Sequence, residues 1–132
     1  MNCNEKGSRG LIKVVDDLQM QGFFVFLAFD DHSPIDLIAV DKGGRSYRLQ
    51  IKYRTRIPDR PKNRYSLPTQ PVINGKRISI DRSLIDGWAV YMADDNKVTY
   101  ISKNFMEGKT DISLDPEKYY GDLKDWKCAR EA

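Results

Sequence analysis

Apolar residues recur along the first quarter of the chain with a period that is typical of a helix. Between residues 5 and 21 they are spaced by three and four positions, with Leu11, Val14 and Leu18 on one face. Gly22 follows as the expected helix terminator. The run FFVFLAF comes next and, being aromatic and β-branched, predicts a short buried strand.

A period of two marks the next stretch, SPIDLIAVDKGGRSYRLQIKYRT. It predicts strands at 35–41 and 46–54 that are joined at Gly43-Gly44 as a β-hairpin. Alternation divides the second strand into an apolar face and a polar face. The apolar face holds Tyr47, Leu49, Ile51 and Tyr53, and the polar face holds Arg48, Gln50, Lys52 and Arg54.

Residues 55–78 contain four of the six prolines and predict a long basic loop, part of it an extended hairpin that turns at Asn74-Gly75. Further strands are predicted at 86–92 and 97–102, and a short terminal helix is predicted to pack through Leu123 and Trp126. This element order indicates an α/β or α+β fold, with one mixed central sheet flanked by helices and an extended basic loop or hairpin.

Charge is distributed unevenly along the 132 residues. Residues 42–82 hold 12 basic and 2 acidic side chains, a balance of +10, whereas the whole chain has a net charge of +3. Such a block is either a solvated loop or a surface for a polyanion such as nucleic acid. The segment 54–82 supplies the candidate phosphate contacts, which are Arg54, Arg56, Arg60, Lys62, Arg64, Lys76 and Arg77.

The length and composition are those of a single domain, residues 1–132. No apolar run reaches the roughly 18 residues of a membrane span, and no secretory signal is visible. The two cysteines, Cys3 and Cys128, are far apart and outside any metal-binding motif. We therefore expect reduced thiols and a cytoplasmic protein.

Three polar residues of the predicted hairpin are expected to converge at one end of the sheet. Asp36 begins the first strand and therefore lies across from the end of the second, near Lys52 and Arg54. The three groups expected to converge are the Asp36 carboxylate, the Gln50 carboxamide oxygen and the Lys52 ammonium. Carboxylate, amide and backbone oxygens suit Mg²⁺, and a neighbouring lysine can assist a water that attacks a phosphate. The alternative is an ordinary Asp–Lys ion pair beside an exposed Gln.

The motifs Pro34-Ile35-Asp36 and Gln50-Ile51-Lys52 resemble those of the PD-(D/E)xK nuclease superfamily, which has a restriction-endonuclease-like core. Gln before x-Lys resembles a subgroup that includes cyanobacterial group I intron-encoded homing endonucleases. The likeness covers about residues 5–104 and includes Lys6-Gly7, GFFVF, SPIDLIAV, YRLQIK and the later strand pair.

The resemblance implies site roles that the spacing alone does not establish. Asp36 would be the main metal ligand, with Gln50 and the carbonyl of Ile51 beside it, and Lys52 would be the catalytic lysine. The implied cofactor is Mg²⁺, for which Mn²⁺ would substitute. Members of the family usually carry a Glu on the first helix where this chain has Leu11, and Glu5 is a poor substitute because it lies on another helical face.

The resemblance thus implies an endonuclease that hydrolyses double-stranded DNA, in a bacterial or phage-encoded protein. Two alternatives remain: a structure-selective nuclease similar to Holliday junction resolvases, and a DNA-binding form that has lost cleavage, as Leu11 indicates. A domain of this size covers about one turn of DNA, so a homodimer or homotetramer is expected for a long site.

Overall fold

The structure is a computed structural model that describes residues 1–30, 32–59, 64–68, 72–73, 76–77, 82–126 and 130–131. Of residues 72–73, 76–77 and 130–131 only the backbone is described. The elements in chain order are helix α1 (Cys3–Met20) and strands β1 (Phe24–Leu27), β2 (Leu37–Val40), β3 (Arg45–Arg54), β4 (Tyr65–Pro68), β5 (Val72–Ile73), β6 (Lys76–Arg77), β7 (Gly87–Met92), β8 (Lys97–Ser102), β9 (Asp111–Leu114) and β10 (Arg130–Glu131). Short 3₁₀ turns cover Arg82–Leu84 and Leu123–Asp125.

One mixed sheet organises the domain, with strand order β1-β2-β3-β7-β8 and β10 paired beside the start of β3. The pair β3–β7 is parallel, and the other pairs of this sheet are antiparallel. Two small sheets, β4–β9 and β5–β6, lie outside it. The predicted fold class is thereby confirmed, whereas β4, β9 and β10 were not predicted.

Helix α1 covers one face of the main sheet and agrees closely with its predicted range. Asn2 caps it by accepting a hydrogen bond from the Glu5 amide, and Gly22 follows it in a left-handed conformation with φ of +92°. Val14 and Leu18 are fully buried against Leu37, Ala39, Tyr47 and Leu49 of the sheet. This packing gives β3 a fixed position under the helix.

The opposite face of the sheet packs against the small β4–β9 sheet. Its buried residues include Trp88 and Val90 of β7, Tyr65 and Leu67 of β4, and Leu114 of β9. The predicted basic loop is therefore partly a strand, because the apolar residues of β4 help to close this core. The two apolar clusters leave β3 sandwiched at the centre of the domain.

The prediction for FFVFLAF was wrong in its burial. The segment forms β1, but β1 is an edge strand, and the side chains of Phe24, Phe26 and Leu27 are 59%, 57% and 59% exposed. Hydrophobicity alone indicated a buried strand, but the burial of a strand depends on its place in the sheet, which tertiary pairing decides. No helix in the described ranges is long and apolar enough to cross a membrane.

Candidate functional site

The candidate site lies where β3 extends past the end of β2. Strand β2 pairs with β3 only as far as Leu49, so no strand of the described residues lies opposite the amide and carbonyl groups of Ile51 on that side. Asp36, just before β2, occupies this gap. Its amide donates to the Leu49 carbonyl at 2.9 Å, and its carboxylate Oδ2 accepts from the Ile51 amide at 2.6 Å. The Asp36 carboxylate thus accepts the hydrogen bond that the backbone of a longer β2 would have accepted from β3.

The carbonyl of Ile51 points into the same gap as the Asp36 carboxylate. Within a strand, the N–H and C=O of one residue point to the same side. Because the Ile51 N–H is directed at Asp36, its carbonyl is also directed towards that side of β3. A carboxylate and a backbone carbonyl are therefore available together at one position.

Lys52 is half-buried next to Asp36. Burial shifts the pKa values of the two groups towards each other. Burial lowers the pKa of Lys52, the charge of Arg54 lowers it further, and Asp36 opposes both. Burial likewise raises the pKa of Asp36, against the effects of the Ile51 N–H and the Lys52 charge. Converging pKa values of a partly buried acid and base are typical of functional sites.

Gln50 is held away from this gap by a tryptophan. Its carboxamide oxygen accepts a hydrogen bond from the indole N–H of Trp88 at 3.0 Å, across the β3–β7 pair. This bond engages one lone pair of the oxygen and orients the carboxamide towards β7. Sequence reasoning placed Gln50 beside Asp36 but did not identify Trp88, since that contact depends on the β3–β7 register.

A cleft of about 630 Å³ opens between α1, β3 and the loop that precedes β2. Asp36 and Ile51 line it, and so does Leu11 from the helix. The structure therefore places position 11 in the cleft that holds Asp36, as the resemblance implies. Glu5 is exposed in the first turn of α1, six residues earlier.

A second carboxylate, Asp30, lines the same cleft and was not singled out in the sequence. The only feature of the sequence that could have indicated a role for Asp30 was its position in the acidic loop that leads to Pro34. Lys52 and Arg54 line a smaller neighbouring cleft of about 390 Å³, to which Cys3, Gly7 and Ile51 also contribute. The acidic and basic groups of the site thus open on two adjoining hollows beside the helix N-terminus.

The described donors fit a Mg²⁺ ion that is held mostly by substrate and water. Among the described residues, no group of three or more His, Cys, Asp or Glu side chains is arranged to hold a metal. Asp36 and the Ile51 carbonyl offer two hard oxygen ligands, and Mg²⁺ commonly uses one or two carboxylates together with waters and phosphates. Gln50 fits this set less well because Trp88 engages its oxygen.

Three of the predicted phosphate contacts have partners within the chain. The Nε of Arg54 donates to the Ser66 carbonyl at 2.7 Å. Arg56 forms a 3.1 Å ion pair with Asp95, and Arg64 approaches Asp115 at 4.0 Å. Exposed pairs of this kind are weak and exchange readily for phosphate, so they reduce but do not remove the capacity to bind a polyanion.

The other four predicted phosphate contacts are described only by their backbone or lie outside the described residues. Lys76 and Arg77 form strand β6, which pairs with β5 as an antiparallel hairpin, as predicted. Arg60 and Lys62 lie outside the described residues, as do the turn residues Asn74-Gly75 and also Cys128. The basic segment therefore stays a prediction as a DNA surface.

Asp86 is a buried acid that sequence reasoning treated only as the start of a strand. It is fully buried and accepts from the backbone amide of Arg48 at 2.8 Å and from the Arg48 guanidinium at 3.1 Å. Its own amide donates to the Arg48 carbonyl at 2.8 Å. These bonds fix the start of β7 against the middle of β3, and Arg48 lies two residues before Gln50.

Comparisons with known proteins agree with this architecture at the level of the fold. No protein-family model and no curated protein matches the chain. A solved structure described as a bacterial homing endonuclease, I-Ssp6803I, is similar, with a TM-score of 0.72. The similarity covers 93% of this chain and 86% of the other, at 14% sequence identity. The chain therefore has the mixed α+β fold of that endonuclease.

Proposed function

We propose that the chain is a Mg²⁺-dependent endonuclease of the homing type that hydrolyses phosphodiester bonds in double-stranded DNA. The observation that carries the proposal is the juxtaposition of the Asp36 carboxylate and the Ile51 backbone with half-buried Lys52. The fold that the chain shares with a bacterial homing endonuclease supports this assignment. The basic segment 54–82 supplies a surface for the duplex.

In this proposal Asp36 and the Ile51 carbonyl would hold the ion, and Gln50 is a neighbour whose carboxamide bonds to Trp88. A bound Mg²⁺, or Mn²⁺ in its place, lowers the pKa of a coordinated water and neutralises charge on the phosphate. Because burial lowers the pKa of Lys52, its Nζ gives up a proton more readily than the Nζ of an exposed lysine. In its charged form it stabilises negative charge on the phosphate.

The proposal is tested by incubating the chain with a library of long duplexes and, in parallel, with a four-way junction. We expect duplex cutting in Mg²⁺ or Mn²⁺, and none when EDTA removes the metal. Binding in EDTA should weaken steeply as salt increases. Exclusive cutting of the junction would assign the chain to a structure-selective nuclease, and loss of salt-dependent binding would overturn the nucleic-acid function altogether.

A second candidate function, DNA binding without cleavage, is favoured by Leu11. This apolar side chain lines the Asp36 cleft where the resemblance places an acid. A neutral position there leaves the cleft with less negative charge for a metal.

We expect Leu11→Glu to increase the Mg²⁺ affinity of the chain by about tenfold, since a carboxylate added near a divalent ion is worth on the order of 1–2 kcal/mol. Titration calorimetry with Mg²⁺ and a cleavage assay measure the two effects. Leu11→Gln, which has a similar size and no charge, is the matched control. Unchanged metal affinity in Leu11→Glu would show that position 11 does not face the ion.

A further inference from the structure

The outer edge of β1 combines exposed apolar side chains with backbone groups that pair with no described strand. Phe24, Phe26 and Leu27 are more than half exposed, and Phe29, just beyond the strand, is fully exposed. Within the described part of the chain, no strand pairs with this edge. Long exposed apolar edges promote association with another strand, so folded proteins cover or interrupt them.

The backbone of β1 shows which groups are open to a new partner. The amide of Ala28 donates to the Asp36 carbonyl, so residues of the same parity, Phe24 and Phe26, exchange hydrogen bonds with β2. The N–H and C=O groups of Val25 and Leu27 therefore point outwards. An incoming antiparallel strand has two residues, and four backbone groups, to pair with.

We propose that the partner is a second copy of this chain, joined β1 to β1 across a twofold axis that passes at Phe26. In this register Val25 of each copy pairs with Leu27 of the other, which satisfies all four outward backbone groups on both copies. Phe26 then lies opposite Phe26 of the second copy, in a position where the side chains come close. A twofold axis through a residue keeps the two faces of the joined sheet continuous.

Charge favours a copy of this chain over nucleic acid. Residues 23–41 contain four Asp and no Lys or Arg, so the patch lies in an acidic segment that repels phosphate. In the proposed register, the end of β1 that leads to Asp30 lies beside the Gly22 end of β1 in the second copy. The Lys42 ammonium of that copy lies 3.8 Å from where a Cβ of Gly22 would be, and it complements Asp30.

The available area also suits a dimer. Taking about 200 Å² for each Phe, the exposed parts of the four apolar side chains amount to roughly 500 Å² per copy. Two copies together expose on the order of 1,000 Å² of this side-chain area, which is the upper limit of what the patch can bury and lies at the lower end of the range of specific interfaces. The joined sheets have ten strands in one continuous path.

The dimer brings two candidate sites to the same face of one sheet. Asp36 lies opposite Ala28, and Ala28 lies opposite Phe24 of the second copy, so three strand spacings and four residues separate the two Asp36 residues. At about 4.8 Å per strand and 3.4 Å per residue, this distance is roughly 20 Å. This consequence rests on the proposed nuclease function, under which two sites at that distance can address both strands of a duplex.

The register is tested by cross-linking without DNA or metal, so its outcome does not depend on nuclease activity. Cys3 and Cys128, the only two cysteines, are first changed to serine. In that chain Phe26→Cys should oxidise to a covalent dimer, because each new thiol faces its own copy. Phe24→Cys, which faces Ala28 of the second copy, is the matched control and should cross-link far less. Equal cross-linking at both positions would overturn the register.

The surface is tested by mass measurement in solution. The native chain should sediment at twice 15.3 kDa, and Phe26→Lys should weaken the dimer about 100-fold. Ile12→Lys, on a 64% exposed residue of α1, should leave the dimer intact. A native chain that is monomeric at 100 μM concentration, roughly the top of the accessible range, would overturn the proposal. The proposal would also be overturned if the native chain were monomeric and the Phe26→Lys variant lost DNA binding, because the patch would then contact nucleic acid.

Discussion

Replacement of Lys52 by methionine is expected to abolish DNA cleavage and at the same time to raise the thermal stability of the chain. Under the proposed function the loss of cleavage should be on the order of 10³-fold, because the ammonium proposed to act on the phosphate or its water is removed. The gain in Tm should be a few degrees, about 2–5 °C, because the cost of burying the Lys52 charge outweighs its attraction to Asp36, and an apolar chain of similar length replaces it. Opposite effects on activity and stability are typical of a functional residue.

The gain in stability should depend on pH in a definite direction. Burial places the pKa of Lys52 in the folded chain below its ordinary value of 10.5. Below the folded pKa both states carry the proton, and folding bears the full cost of burying the charge. As pH rises through the folded pKa towards 10.5, the folded chain loses its proton first, so native stability increases. The advantage of Lys52→Met should therefore be largest near neutral pH and shrink at alkaline pH.

Thermal unfolding in EDTA at several pH values, together with single-turnover cleavage in Mg²⁺, measures both effects. Lys124→Met, on an exposed lysine of the Leu123–Asp125 turn, is the matched control and should change neither. A Lys52→Met chain that still cuts at the native rate would remove Lys52 from the reaction. A chain that loses cleavage and also loses stability would show instead that the lysine has a structural role.

The second large effect is expected at Asp86, where replacement by alanine should reduce the free energy of unfolding by about 3–5 kcal/mol. Asp86 is 0% exposed, and its partner Arg48 is 18% exposed at the side chain. Removing the carboxylate leaves a mostly buried guanidinium and the Arg48 amide without their acceptor. Since domains of this kind have only about 5–15 kcal/mol of stability, the variant should be largely unfolded at moderate temperature.

Urea unfolding followed by circular dichroism measures this change. Asp115→Ala is the matched control, because Asp115 forms a 4.0 Å pair with Arg64 at the surface and should cost less than about 1 kcal/mol. The double variant Asp86→Leu with Arg48→Met should recover much of the loss, since both charges are then absent. A small effect of Asp86→Ala would mean that water reaches Arg48 and replaces the acceptor.

The helix and the hairpin of this fold could be predicted because the residues that encode each of them are close together in the sequence. The spacing of Leu11, Val14 and Leu18 and the glycine at position 22 predicted α1 closely. The alternation around Gly43-Gly44 predicted the hairpin and therefore the approach of Asp36 to the end of β3. The strand at 97–102 was predicted with the bounds that the structure shows. In each case a few neighbouring residues contain the whole signal.

Features that depend on strand order were not readable in this way. The parallel pairing of β3 with β7 brings Trp88 to Gln50 and Asp86 to Arg48, across separations of 38 residues. The apolar run of β1 looked buried because hydrophobicity does not indicate whether a strand has one neighbour or two. The Asp30 side chain reached the cleft only through the path of its loop.

The helix, the hairpin and the set of polar residues at its open end follow from short stretches of sequence, because periodicity and turn chemistry act over a few residues. Which of those polar groups meet depends on the tertiary structure. It joined Asp36 to the Ile51 backbone, turned Gln50 towards Trp88, placed Leu11 in the cleft and left β1 uncovered. The physical reason is that long-range pairing selects among many local arrangements of similar energy, and this selection comes from packing over the whole domain.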